Sequence, residues 1–276
     1  MSNKEDLYIH VYTGIGSETM AYRNPDETWE TGSALLEFIY TDLSGLGFGR
    51  SASGDMEFLR GLHPYFRHIS QENFTSFFEN SLNSTYRGTF CISGLEQLQK
   101  TYENWLIRYT KGGLKGDLLT EVGKYRFYTQ THYVMEGEEL ALDYFLLGFE
   151  DCLFLEFSEI IRHKIRIKVC KNCKRLFIPK KSNIDYCTRI YTSDGKTCQD
   201  VGYTQTFARS VKNDDLLQAY TRAYKAHYAR MAKPRKRAEN LSREGFETWY
   251  QEAKQKLNQA RSGEIDPEEY KEWLKK

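Results

Sequence analysis

The chain has 276 residues, of which 40% are hydrophobic and 14% aromatic, and a formal net charge of +1. That apolar content supports a packed core and argues against wholesale disorder, while the length calls for two lobes or one domain with an appended module. Met1 to Asp6 carry no apolar leader, and the most apolar stretch, Leu140 to Ile161, is broken by Asp143, Glu150, Asp151, Glu156 and Glu159. Neither a secreted nor a membrane-spanning protein is expected, and a cytoplasmic one follows.

The first element predicted is a strand over residues 7–12, which alternate in hydropathy and end at Gly14-Ile15-Gly16. Residues 28–43 place Trp29, Leu35, Leu36, Ile39 and Leu43 at near-helical spacing, so an amphipathic helix is expected there. A glycine-rich connection follows at residues 45–50; it lacks the Gly-Lys-Ser/Thr ending of a phosphate-binding loop. Short helices are predicted over 58–69, 74–82 and 95–109, and a strand or hairpin arm over the β-branched, aromatic run 122–134. Residues 138–161 read as one broad-faced core helix. Residues 162–169 alternate basic and apolar side chains, as a strand would. Helices are then predicted over 203–232, with Tyr220, Tyr224 and Tyr228 in one stripe, and over 246–261, with Gly263 just past its end. A last short helix opens on Asp266 as N-cap and Pro267 at N1.

Charge is segregated along this order. Residues 1–161 hold 12 Lys/Arg against 24 Asp/Glu, residues 162–237 hold 20 against 5, and residues 238–276 hold 7 against 9. The middle segment creates a positive field that the neutral total conceals. Within it, Lys180, Lys181, Arg209, Lys212, Arg222, Lys225, Arg230, Lys233, Arg235, Lys236 and Arg237 lie among tyrosines. Cations along one face suit phosphates, and aromatic rings can stack on single-stranded bases. The tyrosine stripe is more simply a packing face. The acidic first part offers another partner for the same charges.

The four cysteines of the same segment carry the strongest signal. Cys170 and Cys173 form a C-x-x-C turn, with Cys187 after 13 residues and Cys198 after a further 10. One tight turn can aim two thiolates at an ion, and a returning pair closes a tetrahedral four-sulfur site, the geometry of structural zinc. Such a site leaves no position open for water or substrate. Four inert thiols or a redox pair are the competing readings. Residues 175–179 suit a short apolar strand, 180–183 a turn, and Ile184, Tyr186 and Cys187 a returning strand. Cys91 and Cys152 stand apart and are read as buried small hydrophobes. His63 and His68 do not share a helical face, and His10, His132, His163 and His227 are isolated, so each is read as a surface or satisfied core histidine. No hydrolase, metalloprotease or nucleotide-binding motif is found.

The run Cys170-Lys-Asn-Cys173-Lys-Arg-Leu-Phe177-Ile-Pro, followed by Tyr186-Cys187 and Cys198, resembles the C-terminal zinc finger of bacterial CGNR-type regulators. That resemblance implies Cys170, Cys173, Cys187 and Cys198 as zinc ligands and the helix after Cys198 as the DNA-facing element. Gln199-Asp200-Val201-Gly202 replaces the Gly-Asn-Arg that follows the fourth cysteine in that family. Residues 165–276, ending in Glu269-Tyr270-Lys-Glu-Trp273-Leu274, are also similar to an uncharacterised bacterial family of unknown function.

These readings combine into an α+β protein. A mainly helical N-terminal lobe (1–161) precedes a treble-clef-like zinc ribbon (162–202) and a basic helix with a helical tail (203–276). The expected function is nucleic-acid binding, DNA before RNA, by a transcriptional regulator with a structural zinc. The alternatives are a protein-interaction module that binds an acidic partner, and an effector enzyme whose second half targets nucleic acid.

Overall fold

In the computed structural model, residues 9–14, 19–22, 28–45, 52–68, 92–125, 129–136, 139–146, 148–232 and 240–275 are described. Period-two alternation builds its one large sheet. Strands β1 (Ile9–Gly14), β2 (Thr19–Tyr22) and β3 (Thr28–Glu30) open the chain. Helices α1 (Ser33–Tyr40), α2 (Ala52–Leu62), α3 (Tyr65–His68), α4 (Ile92–Gly112) and α5 (Gly116–Val122) follow. Strands β4 (Gln130–Glu136) and β5 (Glu139–Leu146) then complete an antiparallel sheet in the order β3-β2-β1-β5-β4. The register sets Val11 opposite Tyr144 and Tyr133 opposite Leu142.

Helix α6 (Phe149–Arg162) supplies the centre of the core against that sheet. Its Phe149 ring meets Phe38 at 5.1 Å edge-on and Phe66 at 4.6 Å, while Phe157 lies 5.3 Å from Trp105. Strands β6 (Lys168–Val169) and β7 (Leu176–Phe177) form a small second sheet, and Ile165, Ile167 and Leu176 join the same core. Four helices end the chain: α7 (Cys198–Lys212), α8 (Asp215–Ala232), α9 (Arg243–Ser262) and α10 (Pro267–Trp273). The α+β class is therefore as expected. The chain divides into two compact units, residues 1–187 and 188–276.

The second unit has its own core. Ala253, Leu257 and Ala260 of α9 meet Tyr270 and Leu274, with Leu216, Tyr220, Ala223 and Trp249 packed around them. Two predicted helix ends are found as read. Gly263 ends α9 at φ 80°, and Asp266 caps α10 by accepting from the Glu268 and Glu269 N–H groups. The tyrosine stripe of α8 is a packing face: Tyr224 lies against Phe246 and Tyr250, and Tyr220 stacks on Trp249.

Several predicted elements differ. Residues 138–161 hold β5 and α6 rather than one helix, because Leu140, Leu142, Tyr144 and Leu146 alternate across a strand before Gly148 begins the helix. Residues 28–43 are split by Gly32 at φ 81°, where an added Cβ would lie 2.5 Å from the Ile160 side chain. Residues 203–232 break after Lys212, since Asp214 caps a new helix by accepting from the Leu217 N–H at 2.9 Å. Of the predicted 122–134 strand, Val122 ends α5 and pairing starts at Gln130. The 162–169 strand reduces to Lys168–Val169, Arg162 ending α6. No strand forms at Ile184 to Cys187. The helix predicted over 74–82, most of the glycine-rich connection, and Cys91 lie outside the described residues.

Candidate metal centre

The four cysteines are held by three local devices. Cys170 and Cys173 sit on a turn closed by the Cys170 N–H to the Arg175 carbonyl at 2.9 Å and the Lys174 N–H to the Cys170 carbonyl at 3.0 Å. Lys174 takes the left-handed conformation, φ 66°, that this turn requires. Cys187 is returned to the turn by the Lys171 N–H, which donates to the Asp185 carbonyl at 3.0 Å. The Asp185 carboxylate accepts from the ammonium groups of Lys168 and Lys171, which hold it down at about 2.

Cys198 arrives by a small hairpin that uses up the ten-residue gap. Ile190 bridges Thr197, the Tyr191 N–H donates to the Lys196 carbonyl at 2.8 Å, and Gly195 at φ 82° turns the tip. Cys198 is then the first residue of α7, behind a reciprocal cap. The Thr197 side chain accepts from the Asp200 N–H, and the Asp200 carboxylate accepts from the Thr197 N–H at 2.8 Å. A helix N-terminus favours the thiolate form of a cysteine.

The four Sγ atoms all lie within 4.8 Å of one another. Those of Cys173 and Cys187 are 3.6 Å apart, close to the edge of about 3.8 Å in a tetrahedron with metal–sulfur bonds of about 2.3 Å. Cys170, Cys187 and Cys198 are buried and Cys173 is half-buried. Burial pushes the Cys170 thiol up, but the N–H groups of Cys187, Cys173 and Asn172 more than offset this and bring it down to about 7. Four converging thiols, one with hydrogen-bond donors placed for its anion, could hold a metal ion.

A second group lies in the first unit, where His63, Cys152 and Glu156 also place their donor atoms within 4.8 Å of one another. Here the hydrogen bonds tell against a metal. The Tyr65 N–H donates to His63 Nδ1 at 3.1 Å, which leaves the ring proton on Nε2 to meet Glu156 Oε1 at 2.8 Å. A metal-bound imidazole donates through its other nitrogen, and this one accepts there. Glu156 Oε2 accepts in turn from the Leu35 N–H at 2.8 Å, within the first turn of α1, whose N-cap Gly32 has no side chain to offer. His63 is a satisfied core histidine, and Cys152 is buried as expected. Sequence spacing could not find this group, because Cys152 and Glu156 share α6 while His63 comes from a distant segment.

The predicted phosphate-binding cations are placed as follows. Lys180 and Lys181 are exposed after β7 in the first unit. In the second unit Lys212, Arg222 and Lys225 are exposed, Arg230 is half-buried, and Arg209 is half-buried with its guanidinium donating to the Tyr191 hydroxyl at 3.0 Å. Lys233, Arg235, Lys236 and Arg237 lie outside the described residues.

Residues 131–276 match a family described as a family of unknown function, DUF6076. The chain belongs to this family. The match begins in β4, well before the cysteines, so the family's shared region includes β5 and α6 as well as the ribbon and the four final helices. No curated protein and no solved structure matches the chain. Among the described residues no helix is long and apolar enough to cross a membrane.

Proposed function

We propose that this chain is a zinc-stapled nucleic-acid-binding protein, a transcriptional regulator that acts on DNA. The observation that carries the reading is the four-cysteine cluster set within the 162–237 segment, with its 20 Lys/Arg against 5 Asp/Glu. Zinc is the ion that suits four thiolates in a tetrahedron, and its role is structural because the thiolates fill its coordination. Cys170, Cys173, Cys187 and Cys198 are its ligands, in line with the resemblance to CGNR-type fingers. The surrounding cations neutralise phosphates, which makes affinity fall steeply with salt. Against this stands one observation that favours protein contact instead. Tyr203 and Phe207, one turn apart on α7, are 75% and 44% exposed.

The test is fluorescence anisotropy of the zinc-loaded full chain with random duplex DNA and with single-stranded RNA over a salt series. Binding whose logarithm falls by several units per log unit of salt supports the reading, at about 0.9 units per phosphate contacted on duplex DNA. Absence of binding to either polymer at low salt removes it and leaves protein contact through α7.

A further inference from the structure

We propose that the element entering nucleic acid is helix α8, and that it lies in the major groove of duplex DNA. The inference rests on the nucleic-acid reading above and adds the polymer, the groove and the residues.

Helix α8 has two chemically distinct sides. The inner side is spent on packing: Leu216, Leu217, Tyr220 and Ala223 belong to the second core, Tyr224 lies 5.5 Å from Phe246, and His227 stacks 3.9 Å from Trp249. Tyr220 and Tyr224 therefore already have aromatic partners, and they do not form the platform on which single-stranded bases would stack. The outer side shows Arg222, Lys225, Ala226 and Ala229, all exposed, with half-buried Gln218 one turn before Arg222. After Asp215, α8 contains no acidic residue. Two cations with two alanines beyond them make a positive, shallow ridge. Its length from Gln218 to Ala229 is about 16 Å at the helical rise of about 1.5 Å per residue.

A ridge of that form suits a B-form major groove, about 12 Å wide, into which the alanines let the helix axis descend. The major groove of A-form RNA is too deep and narrow to admit it. Arg222 stands in the first half of α8, the part that contacts base edges when a helix reads a groove, and arginine pairs with guanine through two hydrogen bonds. Gln218 is a positioning residue. Its Nε2 donates to the Lys212 carbonyl at 3.2 Å, and its Oε1 accepts from the Arg222 guanidinium at 3.4 Å. Lys225, about one turn further on, is placed for phosphate. Helix α7 suits this role less well, since Tyr203 and Phe207 occupy its exposed side and Arg209 donates to Tyr191. The resemblance to CGNR-type fingers pointed to the helix that follows Cys198; the geometry points to the next one.

The experiment uses the zinc-loaded full chain. A bound sequence is first selected from a random duplex pool, and its affinity is compared with that of scrambled duplex and of single-stranded RNA. Ala226→Glu and Ala229→Glu keep a good helix former at solvent positions, so circular dichroism should be unchanged. Each should weaken duplex binding by about tenfold or more through repulsion from phosphates and loss of close approach. Arg222→Ala should reduce preference for the selected sequence by about five- to a hundredfold. Lys225→Ala should weaken all duplexes alike and lower the salt slope by about one. Duplex affinity unchanged in both glutamate variants would overturn the assignment to α8 while leaving nucleic-acid binding standing. Preference for single-stranded RNA would overturn the duplex assignment. Binding to no polymer would remove both proposals together.

Discussion

Phe149 and Asp151, two residues apart at the start of α6, show how differently one turn can treat its side chains. Phe149 is 1% exposed and touches the rings of Phe38, His63, Tyr65 and Phe66, so it anchors the helix by packing. Asp151 gains the favourable end of the helix dipole, yet burial raises its carboxyl to about 6. The folded state then binds a proton more tightly than the unfolded chain does. Its contribution to stability is present below about pH 4 and is lost as pH rises through about 6. Asp151→Asn should therefore raise the melting temperature at pH 7 more than at pH 4. Thermal melts across that range check it, and an equal shift at both values would show that the carboxylate carries no penalty.

Between elements, short polar devices decide where helices begin. Asp214 is the clearest case. It accepts from the Leu217 N–H to start α8 and pairs with the Arg261 guanidinium at the end of α9. Its carboxyl is lowered first by the Leu217 N–H and then by Arg261. Asp214→Ala should cost about 1 kcal/mol of stability, most of it from the cap, because an exposed ion pair adds little. Chemical denaturation of the full chain measures it, and Asp214→Asn, which keeps the cap and removes the charge, should recover most of the loss. The cysteine turn follows the same logic with backbone donors. Lys174 at φ 66° and the N–H groups around Cys170 set the two thiols on one turn.

For the whole molecule, the ribbon is too small to bury a core of its own. Its apolar strand is instead inserted into the first unit: Leu176 and Ile178 join the core, and the Leu176 N–H donates to the Tyr40 hydroxyl at 2.8 Å. Arg175 lies over the same tyrosine ring. On the zinc reading proposed above, treatment with a strong chelator should lower the melting temperature by several degrees or more, and readdition of zinc should restore it. Cys198→Ser should lose the zinc response, and a chelator-insensitive melt would show that the thiols need no metal. Much of this was legible in the chain. The C-x-x-C turn, the spacing to Cys187 and Cys198, the caps at Gly263 and Asp266 and the packing role of the tyrosine stripe are local or periodic features, and local chemistry is written in order along a sequence. The joining of β5 to β1 and β4 was not legible, because residues 140–146 carry enough leucine and aromatic side chains to satisfy either period. The buried His63–Glu156 pair was hidden for a different reason: its members are 93 positions apart, and only folding sets them 2.8 Å from each other. The sequence by itself determined the candidate metal ligands and the charge segregation. Which cations share an exposed ridge, and which tyrosines are spent on packing, was decided only by tertiary structure, since a helix face acquires an inside and an outside only when something packs against it.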